Sequence, residues 1–141
     1  MIKTNIWVVF CLYLIYVLIS APLFFLTSGG WIALFYYVGF AGMFYIATLV
    51  LLFLRAAART TRKRTKVKIN GAFLLRVIGL QAFVVLFNFN SCGDELCYEG
   101  FLPSRLAEIG IPMIFTPPFV VVLLALLLYM GLLSLFLLDV A

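Results

Sequence analysis

Two cysteines are the first residues whose type and spacing suggest chemistry. Cys92 and Cys97 bracket the sequence Gly-Asp-Glu-Leu, in which Gly93 gives the backbone freedom to close a small turn. We interpret the pair as a disulfide, because the topology derived below places it outside the cytoplasmic membrane, where disulfides persist. Redox catalysis is the alternative, but the segment has no CxxC motif and no adjacent Lys or His to activate a thiol. A zinc site would need further ligands such as Asp94 or Glu95.

Three polar side chains interrupt an apolar stretch and are the candidates for contact within the membrane. Arg76 is the most costly, since a charge at the bilayer centre costs about 2.5–3.5 kcal/mol on insertion scales. It is a candidate for an anion or proton pathway, or for pairing with an acid on a partner subunit. The alternative is a snorkelling anchor that reaches lipid phosphates or Asp139 as an ion-pair partner. Gln81 and Asn88 share a helix face, and we expect them to hydrogen-bond a neighbouring helix.

A basic segment sets the orientation of the chain. Residues 55–68 hold seven of the ten Lys and Arg residues and no acid. Basic loops beside membrane spans stay in the cytoplasm, so we expect this segment there. It would also attract anionic lipid headgroups, at about 1 kcal/mol per residue. Because the net charge of +5 comes from this segment, nucleic-acid binding is not expected. The residues are Arg55, Arg59, Arg62, Lys63, Arg64, Lys66 and Lys68.

The composition of the chain indicates an integral membrane protein. Of its 141 residues, 67% are hydrophobic and 11% are charged, with a mean hydropathy of 1.25. Soluble domains are about half apolar and about a quarter charged. The sequence has no His, and we find no Ser/His/Asp set, no paired intramembrane carboxylates and no metal-ligand cluster. We therefore expect no enzymatic activity, metal or cofactor. Cys11 lies deep in an apolar stretch and is expected to be a buried small hydrophobe.

Four apolar stretches are the elements that position these residues. A bilayer-spanning helix needs about 20 residues, and the stretches run over 6–26, 31–54, 71–89 and 113–138. They leave a basic cytoplasmic loop at 55–70 and an outer loop at 90–112, which carries four of the five acids. The sequence thus predicts one all-α integral membrane domain over residues 1–141. It has four transmembrane helices in two antiparallel hairpins, with both termini cytoplasmic.

The outer loop contains one further periodic pattern. Leu102, Leu106 and Ile109 recur at i, i+4 and i+7, with Pro103 at the start and Gly110 at the end. This pattern predicts a short amphipathic helix lying on the outer membrane surface. An irregular loop is the alternative.

By elimination, the expected function is contact between helices. We expect a multi-pass protein of the bacterial cytoplasmic (inner) membrane that acts as an accessory subunit or regulator of a larger membrane complex. Immunity and exclusion proteins, which block a toxin in the bilayer, belong to this class. The hypothesis depends on polar residues in the third stretch that have no evident partner within the chain, so that another membrane protein or a second copy would supply one. The alternative is a protomer of an oligomeric channel or small-solute transporter, for which only Gln81 lies near the midplane.

Overall fold

The chain is mostly helical in the computed structural model, which describes residues 2–28, 33–88, 90–92, 95–97, 108–110 and 118–140. Within these ranges, three helices are long and apolar enough to cross a membrane. They are Ile6–Thr27, Leu34–Thr61 and Val120–Leu138, and a shorter apolar helix covers Gly71–Phe87. The fold is therefore compatible with the predicted all-α membrane protein.

The first helix, α1 (Ile6–Thr27), agrees with the first apolar stretch to within one residue at its end. Asn5 caps its N-terminus, because the Asn5 side chain accepts a hydrogen bond from the Trp7 N–H at 3.0 Å. The Ser28 hydroxyl donates to the Phe24 carbonyl oxygen at 2.6 Å and satisfies one of the free carbonyls at the C-terminus. Cys11 lies on the exposed surface of α1, so the prediction of a buried thiol was wrong. The helix is apolar on every side, and hydrophobicity therefore does not reveal its inner face.

The second helix begins with a π-helical segment, Ala33–Gly42, and continues as α2 (Met43–Thr61). The sequence predicted a span ending at residue 54 and a loop over 55–70. The helix itself continues to Thr61, so regular structure extends into the segment that was predicted as a loop. Helix α2 runs on through Ala56, Ala57 and Ala58, since alanine is the best helix former and the edge of the apolar stretch need not end a helix. Arg55 and Arg59 therefore lie on a helix rather than in a loop.

A Schellman motif ends α2. The Arg64 N–H donates to the Arg59 carbonyl oxygen at 2.9 Å, and the Lys63 N–H donates to the Thr60 carbonyl oxygen at 3.0 Å. Lys63 has a φ of 55°, in the left-handed region that glycine usually occupies at this position. The motif turns the chain sharply, so that only four residues separate α2 from the strand that follows.

Two short strands, which the sequence analysis did not predict, close this end of the helices. Strand β1 (Ile2–Asn5) pairs antiparallel with β2 (Lys66–Ile69), with Lys3 opposite Lys68 and Thr4 opposite Val67. Val67 is buried against the helices, whereas Lys3 and Lys68 are exposed. Because directly opposed residues share a face, one face of the ladder covers the bundle and the other carries lysines.

The second half of the chain repeats the arrangement of a strand, an Asn cap and a helix. Asn70 follows β2, and its side chain accepts the Ala72 N–H at 3.2 Å to start α3 (Gly71–Phe87). Strands β3 (Asn90–Cys92) and β4 (Glu95–Cys97) form an antiparallel hairpin, and α4 (Pro118–Val140) completes the fold. The predicted interfacial helix falls largely on residues 102–107, outside the described residues. The positive φ of 76° at Gly110 suits the expected helix end there.

The most extensive packing joins each of α1 and α4 to two other helices. Helix α1 contacts α2 and α3, and α4 contacts the same two helices. At one end of the bundle, the Trp7 indole N–H donates to Thr60 Oγ1 at 2.8 Å, which joins the start of α1 to the end of α2. At the other end, the rings of Phe24 and Tyr37 stack with centroids 4.6 Å apart. The core between these contacts contains the polar groups described next.

Candidate functional site

A continuous chain of hydrogen bonds crosses the interior of the helix bundle. The Tyr129 hydroxyl lies 2.6 Å from the hydroxyls of both Tyr16 and Tyr45. Tyr16 donates to Gln81 Oε1 at 2.7 Å, and Gln81 Nε2 donates to Ser20 Oγ at 2.7 Å. These residues belong to α1, α2, α3 and α4, so a single polar cluster ties these helices together. We call this cluster the tyrosine network.

The hydrogen bonds of the tyrosine network have one direction. A phenol has a single proton to donate, and Tyr16 gives its proton to Gln81. Tyr129 must therefore donate to Tyr16, and Tyr45 must donate to Tyr129. The series of hydrogen bonds runs from Tyr45 through Tyr129 and Tyr16 to Gln81, and each bond polarises the next. A directional chain of this kind fixes the relative positions of the helices that contribute to it.

Two smaller polar contacts lie on either side of the tyrosine network. Asn88 is fully buried; its Oδ1 accepts from the Tyr37 hydroxyl at 2.7 Å, and its Nδ2 donates to Thr27 Oγ1 at 3.0 Å. The hydroxyls of Tyr13 and Thr48 are 2.7 Å apart and join α1 to α2. Among the described residues, no buried side-chain nitrogen or oxygen lacks a hydrogen-bond partner. The interior is therefore polar in places but satisfied within the chain.

This finding supports one expectation for Gln81 and Asn88 and overturns another. Both residues hydrogen-bond neighbouring helices, as their shared helix face suggested. The premise that they have no partner within the chain was wrong. Their partners are hydroxyl groups of residues on other helices, among them Tyr16 and Tyr37, which the sequence analysis did not consider as donors or acceptors. Neither amide is available to a second subunit while the bundle is intact.

Arg76 has a different environment from these two residues. It is exposed on the outward surface of α3, and it has no hydrogen-bond or ion-pair partner among the side chains that the structure describes. Asp139 lies in the last turn of α4, but its side chain is outside the described part of the structure, so the proposed Arg76–Asp139 pair stays a prediction. Of the three intramembrane candidates, Arg76 alone is left free for contacts beyond the described residues.

Cys92 and Cys97 lie on the paired strands β3 and β4. Cys92 is opposite Glu95, and Cys97 is opposite Asn90. Cys92 and Cys97 are therefore diagonal neighbours in this register. The Cα atoms of such neighbours are typically about 7–8 Å apart. Disulfides require Cα atoms within roughly 7 Å, so a bridge needs a small adjustment of this ladder. The disulfide stays a prediction, because the side chains of both residues lie outside the described set.

The basic residues surround the end of α2. Arg55 and Arg59 project from the helix, Arg62, Lys63 and Arg64 lie at its end, and Lys66 and Lys68 follow on β2. Arg55 Nη1 lies 3.5 Å from the Leu137 carbonyl oxygen on α4, a long hydrogen bond that links the C-terminal parts of the two helices. A cavity of about 530 Å³ is lined by Arg59, Arg62, Lys63, Arg64, Thr65 and Lys66. The described basic side chains are thus gathered around one end of the bundle.

Tyr129 and Ser20 are among the residues that sequence reasoning missed. Tyr129 is fully buried and accepts and donates at the centre of the tyrosine network. A signal was present, since the one Tyr of a mostly aliphatic span needs a partner for its hydroxyl when buried. The tyrosines of the first two helices suit packing, but those in the network also hydrogen-bond across helices.

The chemistry available inside the bundle is hydrogen bonding. The tyrosine network contains phenol, hydroxyl and amide groups, which suit cohesion between helices in an apolar medium. No protein-family model, curated protein or solved structure matches the chain. Geometry and sequence therefore carry the functional conclusion.

Proposed function

We propose that the protein crosses the membrane four times, with its basic end and both termini in the cytoplasm. Helix α3 has 17 residues, about 26 Å at 1.5 Å per residue, which is near the lower limit of roughly 17 residues for a span. The pairing of β1 with β2 brings the N-terminus to the basic end. The bond from Arg55 to Leu137 brings the C-terminal part of α4 to the same end. Positive charge on this side supports the cytoplasmic assignment.

Within this arrangement the protein acts by helix-to-helix contact, as an accessory subunit or regulator of a larger complex in a bacterial inner membrane. The observation that carries the proposal is Arg76, an outward-facing charge on a membrane helix with no partner among the described side chains. An acidic or carbonyl group on a partner helix would offset its desolvation. The interior cannot offer such a contact, since its described buried polar atoms are already paired.

The outward side of α3 suits the close approach of another helix. Gly79 is exposed one turn from Arg76, and a side chain added there would meet open space. Small residues beside a polar one allow helix backbones to approach and hydrogen-bond in lipid. A helix shorter than the bilayer thickness also gains from association, because contact with a partner relieves the mismatch. We define the α3 surface as Ala72, Leu75, Arg76, Gly79 and Phe83, all of which are exposed.

The test is recovery of a partner from the protein's own host. Tagged wild type and Gly79→Ile are purified in native nanodiscs and their partners identified by mass spectrometry. Gly131→Ile on α4 is the matched control, because Gly131 is also exposed and also faces open space. We expect a stoichiometric membrane protein with wild type and Gly131→Ile, and a loss of roughly tenfold, or about 1.4 kcal/mol, with Gly79→Ile.

Two outcomes would contradict the proposal. Equal recovery with Gly79→Ile and Gly131→Ile would exclude the α3 surface as the contact. Recovery of a homo-oligomer alone, with ion or solute flux in proteoliposomes, would favour the alternative function, a protomer of a channel or transporter.

A further inference from the structure

An apolar groove runs between α2 and α4 on the outside of the bundle. It has a volume of about 180 Å³ and is lined by Thr48, Leu51, Leu52, Arg55, Ser134, Leu137 and Leu138. Its two hydroxyls face their own helices, since Thr48 donates to the Phe44 carbonyl oxygen and Ser134 to that of Met130. The groove wall therefore presents hydrocarbon. Apolar cavities of about 150 Å³ bind small hydrocarbons, so this groove has room for a segment of an acyl chain.

The groove ends in a cluster of arginines. A second cavity, of about 350 Å³, is lined by Arg55, Ala58, Arg59, Arg62 and Leu138. It shares Arg55 and Leu138 with the groove, so the two spaces adjoin. Arg55, Arg59 and Arg62 follow one another at i, i+4 and i+7, which places them on one side of the helix end. Each guanidinium has five N–H donors, and to the described residues these three side chains make a single hydrogen bond, the long one from Arg55 to Leu137.

We propose that this groove and its three arginines form a binding site for one anionic phospholipid of the adjacent leaflet. The phosphate is held by Arg55, Arg59 and Arg62, and one acyl chain lies along the leucines between α2 and α4. Arginine suits this role because its planar fork bonds phosphate oxygens in pairs. The charges match even if the nearby Asp139 is fully ionised, since three guanidiniums against one carboxylate leave two positive charges in excess.

Continuity of the two spaces favours a lipid over a free anion. A soluble phosphate compound would use the arginines and leave the apolar groove empty. A general attraction to anionic membranes would use every basic residue of this end alike, whereas the site proposed here singles out three. The proposal is independent of the contact function, because it lies on α2 and α4 rather than on the α3 surface.

Lipid titration with native mass spectrometry tests the site. Phosphatidylglycerol is added to delipidated wild type, Arg59→Gln/Arg62→Gln and Lys63→Gln/Arg64→Gln, with phosphatidylcholine of the same chain length as the reference lipid. Both variants lose two positive charges from the end of α2, and both leave the Arg55 bond to Leu137 in place. Lys63 and Arg64 do not line the cavity next to the groove.

We expect one tightly retained phosphatidylglycerol on wild type, with affinity about thirtyfold lower in Arg59→Gln/Arg62→Gln and less than about fivefold lower in Lys63→Gln/Arg64→Gln. Equal losses of phosphatidylglycerol affinity in the two variants would indicate diffuse electrostatic attraction to the lipid and would contradict the proposed site. Displacement of the lipid by millimolar inorganic phosphate would assign the arginines to a soluble anion instead. Should Arg59→Gln/Arg62→Gln fail to fold, Arg59→Lys/Arg62→Lys keeps the charge, and unchanged retention there would contradict binding by paired guanidinium bonds.

Discussion

Replacing Tyr129 with Phe should weaken the helix bundle more than replacing Tyr45, the tyrosine at which the directional network begins. The substitution keeps the ring, including its edge-to-face contact with Phe24 at 6.1 Å between centroids. It removes the one hydroxyl that bonds both Tyr16 and Tyr45. Because Tyr45 donates to Tyr129, its buried O–H loses this acceptor, whereas Tyr16 keeps its bond to Gln81.

The size of the effect follows from the number of bonds lost. Hydrogen bonds between membrane helices average about 0.6 kcal/mol and reach about 1.7 kcal/mol, so the loss of two should cost about 1.2 kcal/mol and no more than roughly 3 kcal/mol. Tyr45→Phe removes one bond and strands no donor, because Tyr129 still donates to Tyr16. Its expected cost is about 0.6 kcal/mol. The direction of the hydrogen bonds thus predicts which of the two substitutions costs more unfolding free energy, as well as the size of each cost.

The free energy of unfolding can be measured by reversible SDS titration in mixed micelles. Tyr36→Phe is the matched control, since Tyr36 is a half-buried tyrosine with no hydrogen bond to any described residue. Its unfolding free energy should stay within about 0.5 kcal/mol of wild type. If Tyr129→Phe costs no more than Tyr45→Phe or Tyr36→Phe, the directional network is refuted.

Three further predictions concern the turn after α2, the topology and the cysteines. Lys63→Gly should raise the unfolding free energy by about 1 kcal/mol in the same titration, because the φ of 55° no longer strains a side chain; no gain would contradict that reasoning. A Cys at Thr65, in a chain without its own cysteines, should react with an impermeant thiol reagent from the cytoplasmic side only, and labelling from outside would reverse the topology. Unreduced, denatured protein should show one free thiol, that of Cys11; three would exclude the bridge between Cys92 and Cys97.

The sequence was informative about apolar helices because hydrophobic length is a direct requirement of the bilayer. The start and end of α1 could be predicted to within a residue, since a polar residue stands at each limit. The end of α2 could not, because Arg and Ala continue a helix readily outside the hydrocarbon. The β1–β2 pair was missed for a related reason. Each strand has only four residues, and a pairing across more than sixty residues of sequence leaves no local signal.

The sequence predicted the two amides of the candidate site but not the hydroxyl groups that bond them. Gln81 and Asn88 stood out because an amide in an apolar stretch must find a hydrogen-bond partner. Their partners did not stand out, since a tyrosine suits packing and hydrogen bonding equally well. Which tyrosines face the interior depends on helix rotation, and α1 and α4 are apolar all round and carry no amphipathic pattern that would fix it. Only the three-dimensional arrangement identifies Tyr129 as the shared partner.

The described buried polar groups are hydrogen-bonded within the chain. We therefore expect the stability of the fold and the binding of a partner to depend on different residues. If the amides of α3 had pointed outward, loss of a partner would leave buried polar groups unpaired and the fold would depend on the complex. The Gln81 amide instead forms its hydrogen bonds within the chain, in the tyrosine network. Tyr129→Phe should therefore lower stability while partner recovery persists in the folded fraction, and Gly79→Ile should lower recovery roughly tenfold while stability is kept. A variant at either position that changed both quantities together would show that the bundle and its partner form a single cooperative unit.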